Sequence, residues 1–116
     1  MKSYSYIFLV IFCGISVSCI KFGNRENKRL LEQVNLLVES KPDSVLTLLN
    51  AVDTLKLNKD KRAEYNLLRV QARSNAGMDL SSDVGIFETR KYYVNKNDPD
   101  KAALSCFYAA IVADAR

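Results

Sequence analysis

The chain has 116 residues and a formal net charge of +4, and 48% of its residues are hydrophobic. A chain of this length forms one small domain with a limited core, and its charges are interspersed beyond residue 30 rather than gathered into the basic face that nucleic-acid binding requires. It contains no histidine, which removes the commonest general base and metal ligand. We therefore expect neither an enzyme nor a cofactor or metal site, and no nucleic-acid partner.

The amino terminus, MKSYSYIFLVIFCGISVSC, has the three parts of a secretory signal. Lys2 gives a positive start, an apolar core follows, and small residues precede a cleavage point. A membrane-spanning helix is the alternative, and it needs about 20 apolar residues. The apolar stretch 6–20 has only 15 residues and includes Gly14, Ser16 and Ser18. The pattern therefore favours a cleaved signal.

Cleavage between Ser18 and Cys19 places a cysteine at the mature amino terminus. The residues Ser16-Val17-Ser18-Cys19 resemble the bacterial lipoprotein signal, in which that cysteine carries lipid. Ser16 departs from the pattern, because an aliphatic residue is commoner there. The resemblance implies lipidation of Cys19 and a membrane anchor in the envelope of a Gram-negative bacterium, with the periplasmic face favoured over the cell surface.

The chain is thus expected to have three segments: a lipoprotein signal peptide at 1–18, a lipidated tether at 19–26 and a helical domain at 27–116. Four basic residues and one acidic residue lie between positions 20 and 29. This basic start either lies on anionic headgroups, where each charge contributes about 1 kcal/mol, or is a solvated helix start. Cys106 is the only cysteine left once Cys13 and Cys19 are accounted for, so we expect no internal disulfide and a buried Cys106 side chain.

Two apolar-striped segments follow and predict the first helical hairpin. In NKRLLEQVNLLVES the apolar residues recur three and four apart, which marks one helix face. They are Leu30, Leu31, Val34, Leu37 and Val38. Pro42 separates this helix from PDSVLTLLNAV and starts the second one at its first turn, where Asp43 favours the helix dipole. The residues expected to face back are Val45, Leu46, Leu48 and Leu49.

The polar residues DTLKLNKDK predict a linker, and residues 61–77, KRAEYNLLRVQARSNAG, predict a third helix. Gly77 is its natural stop. The inward residues of this helix are expected to be Leu67, Leu68, Val70 and Ala72.

The turn MDLSSD places Ser81 or Ser82 as the N-cap of a fourth helix, VGIFETRKYYVNKN. Asp79 and Asp83 lack the spacing and the glycine of a calcium loop, so we expect them to cap a helix. The residues expected to pack from the fourth helix are Ile86, Phe87 and either Tyr93 or Val94.

The last segment, DPDKAALSCFYAAIVADAR, predicts a fifth helix with Asp98 as N-cap and Pro99 at its first position. It is apolar almost all round between residues 102 and 113, which is too short a stretch to span a membrane. We expect it to be sandwiched between other helices, although the preceding hairpin can cover only one flank. Residues 99–113 are therefore expected to bind an unidentified protein partner or a second copy, through Phe107, Tyr108 and Ile111.

Helical hairpins recur at 27–51, at 61–95 and from 99 onward, at a period typical of helical-hairpin solenoids. The segments that carry a family resemblance are 42–49, 62–73, 79–83 and 101–110. They resemble tetratricopeptide-like bacterial lipoproteins over nearly the whole mature chain. The resemblance implies an all-α fold, with antiparallel hairpins stacked as a short solenoid. Longer members of the family continue into further repeats, so the domain is expected to be incomplete at its carboxyl end.

Two functions compete on these observations. The first is an interaction scaffold without catalysis, whose concave face presents Tyr65, Arg69 and Arg73, spaced four apart along one helix; a solvated helix face is the alternative for these residues. The second is a small-ligand lipoprotein, in which aromatic side chains stack on a sugar or peptide or else belong to the core. Those aromatics are Tyr92, Tyr93, Phe107 and Tyr108. A truncated, inert member of a longer family is a third possibility.

Overall fold

The computed structural model of the chain describes residues 25–116. The predicted signal peptide, its cleavage point and Cys19 lie outside the described residues. Within this range the fold is all-α, as predicted, with five α-helices, one short 3₁₀ turn and no strand. The helices are α1 (25–37), α2 (Pro42–Asn50), α3 (Lys59–Asn75), α4 (Gly85–Lys96) and α5 (Pro99–Ala115), with the 3₁₀ turn at Thr54–Lys56.

Helices α1 and α2 form the predicted hairpin. The backbone turns sharply between them, where the Lys41 amide donates to the Leu37 carbonyl at 2.8 Å, and Pro42 occupies the first turn of α2. The apolar stripe of α1 is buried as expected except for the half-buried Leu37. From α2, Val45 and Leu49 are fully buried, whereas Leu46 and Leu48 are half-buried.

Helix α3 begins two residues before the predicted start because Asn58 caps it. The Asn58 side chain accepts a hydrogen bond from the Lys61 amide at 2.8 Å, which satisfies one of the free amides of the first turn. The helix ends at Asn75, and Gly77 has a φ of +72°. This left-handed conformation is the one that glycine adopts without steric cost, so the predicted stop is confirmed.

The two sides of α3 are buried in two different apolar clusters. Leu68 and Ala72 join the α1–α2 hairpin in a first cluster. Ala63, Leu67 and Val70 join α4 and α5 in a second cluster. All four residues that were predicted to face inward from this helix are buried, and α3 is the element that the two clusters share.

The predicted N-cap of α4 is wrong. The helix begins at Gly85 and has no side-chain cap, whereas Ser81 and Ser82 lie in the preceding turn. The nearest acid, Asp83, offers only its backbone carbonyl, which accepts from the Ile86 amide at 3.3 Å. Its carboxylate is turned toward α3 and is held by arginines there. Side chains from another helix therefore displace the local capping that the sequence suggests.

Helix α5 starts as predicted, with the Asp98 side chain accepting from the Lys101 amide at 3.2 Å and Pro99 in the first turn. It packs mainly on α4. The residues buried in this contact are Ser105, Tyr108, Ala109 and Val112. The expected sandwich is wrong for the described residues, because α5 is covered on one flank only. None of the helices in residues 25–116 is long and apolar enough to cross a lipid bilayer.

Candidate interaction surfaces

Two arginines predicted to form an exposed face converge on one buried carboxylate. The Asp83 side chain is only 1% exposed, and it accepts from Arg69 Nη1 at 2.8 Å and from Arg73 Nε at 3.0 Å. Arg73 also donates through Nη2 to the Asp79 carbonyl at 2.9 Å. Since a buried carboxylate is costly unless it is paired, these contacts fix the 79–83 turn against α3.

The face formed by Tyr65, Arg69 and Arg73 is therefore less open than the sequence suggests. All three residues are half-buried rather than exposed, and Tyr65 packs against the first apolar cluster. Arg69 keeps 42% of its side chain exposed, so it is the member best placed to contact another molecule. A partner-binding role for the three stays a prediction.

Asp79 closes the turn that precedes α4. Its carboxylate accepts from the Ser81 amide at 3.0 Å and from the Ser81 hydroxyl at 2.9 Å. These two bonds stabilise the charged form and hold the pKa of Asp79 below its ordinary value. Asp79 therefore stabilises its own turn rather than a helix end, and the sequence-based expectation that it caps a helix is wrong.

The outer face of α5 carries the most exposed aromatic ring among the predicted site residues. Phe107 is 58% exposed, and it lies on a helix stripe with other exposed residues. These are Ala103, Cys106, Ala110 and Ala113. The Cys106 thiol is free and exposed, so the expectation that it is buried is wrong: the helix phase set by Tyr108 and Val112 turns Cys106 away from α4.

The other two predicted contact residues of this helix do not belong to that stripe. Tyr108 is 6% exposed and lies in the second cluster, and Ile111 is half-buried against it. The structure therefore separates Phe107 from Tyr108 and Ile111, and brings it together with Cys106 and the three alanines. The sequence does not reveal this division, because α5 is apolar on nearly every side and its pattern does not indicate which side faces α4.

The four aromatics considered for ligand stacking do not form one platform. Tyr93 and Tyr108 lie in the second cluster, where burial raises the pKa of both hydroxyls. Tyr92 is half-buried, and Phe107 lies on a different face of α5. Since two of the four rings are buried, the aromatic set cannot present a shared stacking surface.

Tyr92 instead joins a polar link between α3 and α4. Its hydroxyl and the Lys96 ammonium both donate to the Asp60 carboxylate, which lies in the first turn of α3. The hydrogen bond from Lys96, and then that from Tyr92, hold the pKa of Asp60 below its ordinary value. The bond to Asp60 correspondingly raises the pKa of Lys96 and of Tyr92. This exposed link ties the start of α3 to the end of α4.

Two concavities of the described surface are shallow and open. One, of about 550 Å³, lies between α1 and α2 and is lined mainly by Leu36, Leu37 and Leu48. Another, of about 350 Å³, lies between α3 and α4 and is lined mostly by polar residues, Tyr92 among them. Among residues 25–116 no group of three or more His, Cys, Asp or Glu side chains is placed to hold a metal ion.

Comparison with models of protein families finds no match for this chain, and no curated protein and no solved structure matches it significantly.

Proposed function

We propose that this chain is a lipid-tethered interaction scaffold of the cell envelope, without catalysis of its own. In this proposal it is a short tetratricopeptide-like solenoid that is anchored through Cys19 and binds another protein chain through the outer face of α5. The observation that carries the proposal is the exposed stripe of α5, on which Phe107 stands above small side chains. The small side chains of this stripe allow the close approach of another helix.

The burial pattern of α3 supports the solenoid part of the proposal. Helical repeats are stabilised by contacts between neighbours, so an inner helix has apolar contacts on both sides. Leu68 and Ala72 point to one neighbour, while Ala63, Leu67 and Val70 point to the other. Helix α5 stands where an outer helix of such an array would stand, with one flank packed on α4 and the other exposed.

The energetics favour a protein partner over a small molecule at this surface. An exposed apolar patch marks an interface or an aggregation liability, and aromatic anchors contribute much of the binding energy of protein interfaces. A small molecule binds in a concave site with convergent polar groups, which the convex stripe of α5 does not provide. The alternative function, capture of a sugar or peptide by stacked aromatics, loses support because Tyr93 and Tyr108 are buried.

Site-specific photo-crosslinking tests the binding surface. A benzophenone amino acid replaces Phe107 in the full-length protein in living cells, and a second strain carries it at Val94, which is 55% exposed on α4. We expect a discrete adduct from position 107 and none from position 94. An adduct of twice the protein's mass identifies a second copy, and any other discrete mass identifies a different protein. Equal or absent adducts at the two positions would contradict the proposal.

The tether is tested separately. Replacing Cys19 by alanine should abolish incorporation of labelled palmitate, because Cys19 is the residue that the resemblance to the lipoprotein signal assigns as the lipid acceptor. Incorporation at the wild-type level in the Cys19→Ala variant would reject the anchor. It would leave the crosslinking result, and therefore the binding surface, unaffected.

A further inference from the structure

The fold brings two basic segments that are distant in sequence to the same end of the molecule. Asn27, in α1, accepts a hydrogen bond from the Asp53 amide and donates one to the Asp53 carbonyl, both at 3.0 Å. Arg62 donates to the Thr54 carbonyl at 3.1 Å. The start of α1, the 3₁₀ turn and the first turns of α3 therefore form one surface, which we call the basic tip and define as residues 25–29 and 53–62.

A leucine projects from the basic tip into solvent. Leu55 is 92% exposed, whereas Leu57, two residues later, is 8% exposed and belongs to the first cluster. The turn that carries Leu55 is held by a hydrogen bond, because the Leu55 amide donates to the Asp53 carboxylate at 3.2 Å. The exposure of Leu55 therefore belongs to an ordered turn.

Basic residues outnumber acidic ones in the basic tip. Residues 25–116 contain fifteen basic and thirteen acidic residues, of which seven basic and three acidic residues lie in the basic tip. The remainder of the described chain holds eight basic and ten acidic residues. The excess positive charge thus lies at one end, and the rest of the surface carries a small negative excess.

The basic tip also contains a cleft. It has a volume of about 420 Å³, and Lys28, Lys56 and Lys61 contribute to its lining. Lys56 lies 3.8 Å from the Asp53 carboxylate and Lys61 lies 3.1 Å from that of Glu64, while Lys28 has no carboxylate within salt-bridge distance among the described residues. Among the three lysines of the cleft, Lys28 is therefore the one without a paired carboxylate in the described residues.

The position of the tip along the chain suggests a membrane surface as its occupant. Residue 25 follows Cys19 by six residues, and an extended chain advances at most about 3.6 Å per residue. Residue 25 therefore lies within about 22 Å of a lipid on Cys19. An exposed apolar side chain with basic residues around it is the composition of a surface that rests on anionic lipid.

We propose that the basic tip docks on an anionic membrane surface. Leu55 enters the boundary between headgroups and acyl chains, and the surrounding lysines and arginines contact lipid phosphates. This inference rests on the lipid tether of the proposed function, since the tether holds the tip at the bilayer. Docking stands the domain on one end, and it leaves the outer face of α5 free to meet a partner.

Fluorescence tests the orientation, because the chain contains no tryptophan. The full mature protein, isolated with its lipid, is placed in vesicles of phosphatidylcholine alone or mixed equally with phosphatidylglycerol. A Leu55→Trp variant supplies one fluorophore at the tip. Leu36→Trp is the matched control, since Leu36 is 82% exposed and lies eleven residues after the start of the described helix, about 16 Å along its axis.

We expect the tryptophan of Leu55→Trp to shift to the blue and to be quenched by brominated acyl chains in the anionic vesicles only. High salt should reverse both effects, and Leu36→Trp should show neither. Equal quenching of the two variants, or quenching without dependence on anionic lipid, would overturn the proposal, because the domain would then lie on its side or not dock by charge.

Charge variants in the Leu55→Trp background give a second measurement. Neutralising Lys56→Gln together with Lys59→Gln should weaken docking roughly thirtyfold, at about fivefold for each charge. The matched control, Lys41→Gln with Arg116→Gln, removes the same charge from two exposed positions outside the tip and should leave docking unchanged. An equal loss of docking in the two double variants would contradict docking through the basic tip.

The mass of the mature amino-terminal peptide distinguishes a failure of the docking proposal from a failure of the lipid tether. A peptide without lipid rejects the anchor of the proposed function, and docking is then read from the same variants added to vesicles as soluble protein. A lipidated peptide with an unquenched Leu55→Trp variant rejects the docking tip and leaves the tether intact.

Discussion

Asp83 is a buried carboxylate whose charge is balanced by two arginines of α3. Replacing it by asparagine removes the charge and leaves Arg69 and Arg73 without their partner. Since Arg69 remains 42% exposed, water compensates part of the loss, and we expect Asp83→Asn to lower the free energy of unfolding by about 1–3 kcal/mol. Urea unfolding measures it. Asp114→Asn, at an exposed position, serves as the control. Equal effects of the two changes would show that the ion pairs of Asp83 do not stabilise the fold.

Two glycines give opposite predictions for the same substitution. Gly77 has a φ of +72° with open space around its missing side chain, so Gly77→Ala should cost about 1 kcal/mol through backbone strain alone. Gly85 opens α4, and a Cβ there meets only the Asn66 side chain at 3.9 Å. Gly85→Ala should therefore stabilise the protein by about 0.5 kcal/mol. Thermal unfolding of both variants measures the effects, and a stabilising change at Gly77 would show that the turn is not held in this conformation.

At the scale of elements, the link from Asp60 to Tyr92 and Lys96 fastens α3 to α4. The pKa of Asp60 is lowered below its ordinary value of 3.8, so the folded state binds this proton less readily than the unfolded state does. The stabilisation is therefore fully present above that value and is lost as the pH falls through the folded pKa. Asp60→Asn should be less stable than wild type at pH 7. The difference should shrink as the pH falls below 3.8, and a difference that stays constant with pH would exclude the link.

Leu68 connects α3 to the first hairpin, and it offers a matched pair with Leu36. Leu68 is 4% exposed within the first cluster and Leu36 is 82% exposed on α1. Leu68→Ala should lower the free energy of unfolding by about 2–5 kcal/mol, as should Leu49→Ala at a site that is 2% exposed. Leu36→Ala should change it by less than about 0.5 kcal/mol. If Leu36→Ala proved as costly as Leu68→Ala, the described phase of α1 would be wrong.

At the scale of the whole molecule, the position of α3 between two clusters predicts a gradient of local stability. Amides exchange with solvent when their segment opens, and segments with more buried contacts open less often. Hydrogen exchange followed by mass spectrometry should show the slowest exchange in Lys59–Asn75 and faster exchange in Pro99–Ala115, which packs on one flank only. Slower exchange in α5 than in α3 in the purified protein would indicate that the outer face of α5 is already covered by a second copy.

The helices and most of the first core were predictable from sequence because their signals are local. Apolar residues three and four apart fixed the phases of α1 and α3, and proline, glycine and Asp98 marked three of the helix ends. The candidate site was less predictable. The sequence predicts Phe107 as a contact residue but places Tyr108 and Ile111 in the same group. A helix that is apolar all round gives no information on which side faces its neighbour.

The sequence by itself determined an all-α chain of hairpins, since helix periodicity and chain punctuation act over a few residues. Only the tertiary structure decided where the charges and exposed side chains lie. Asp83 pairs with arginines ten and fourteen residues away. Asn27 bonds to Asp53, twenty-six residues later in the chain, and this contact brings the turn that carries Leu55 to α1. No local pattern encodes such contacts, because they depend on how whole helices pack. The basic tip and the outer face of α5 are therefore products of the packing.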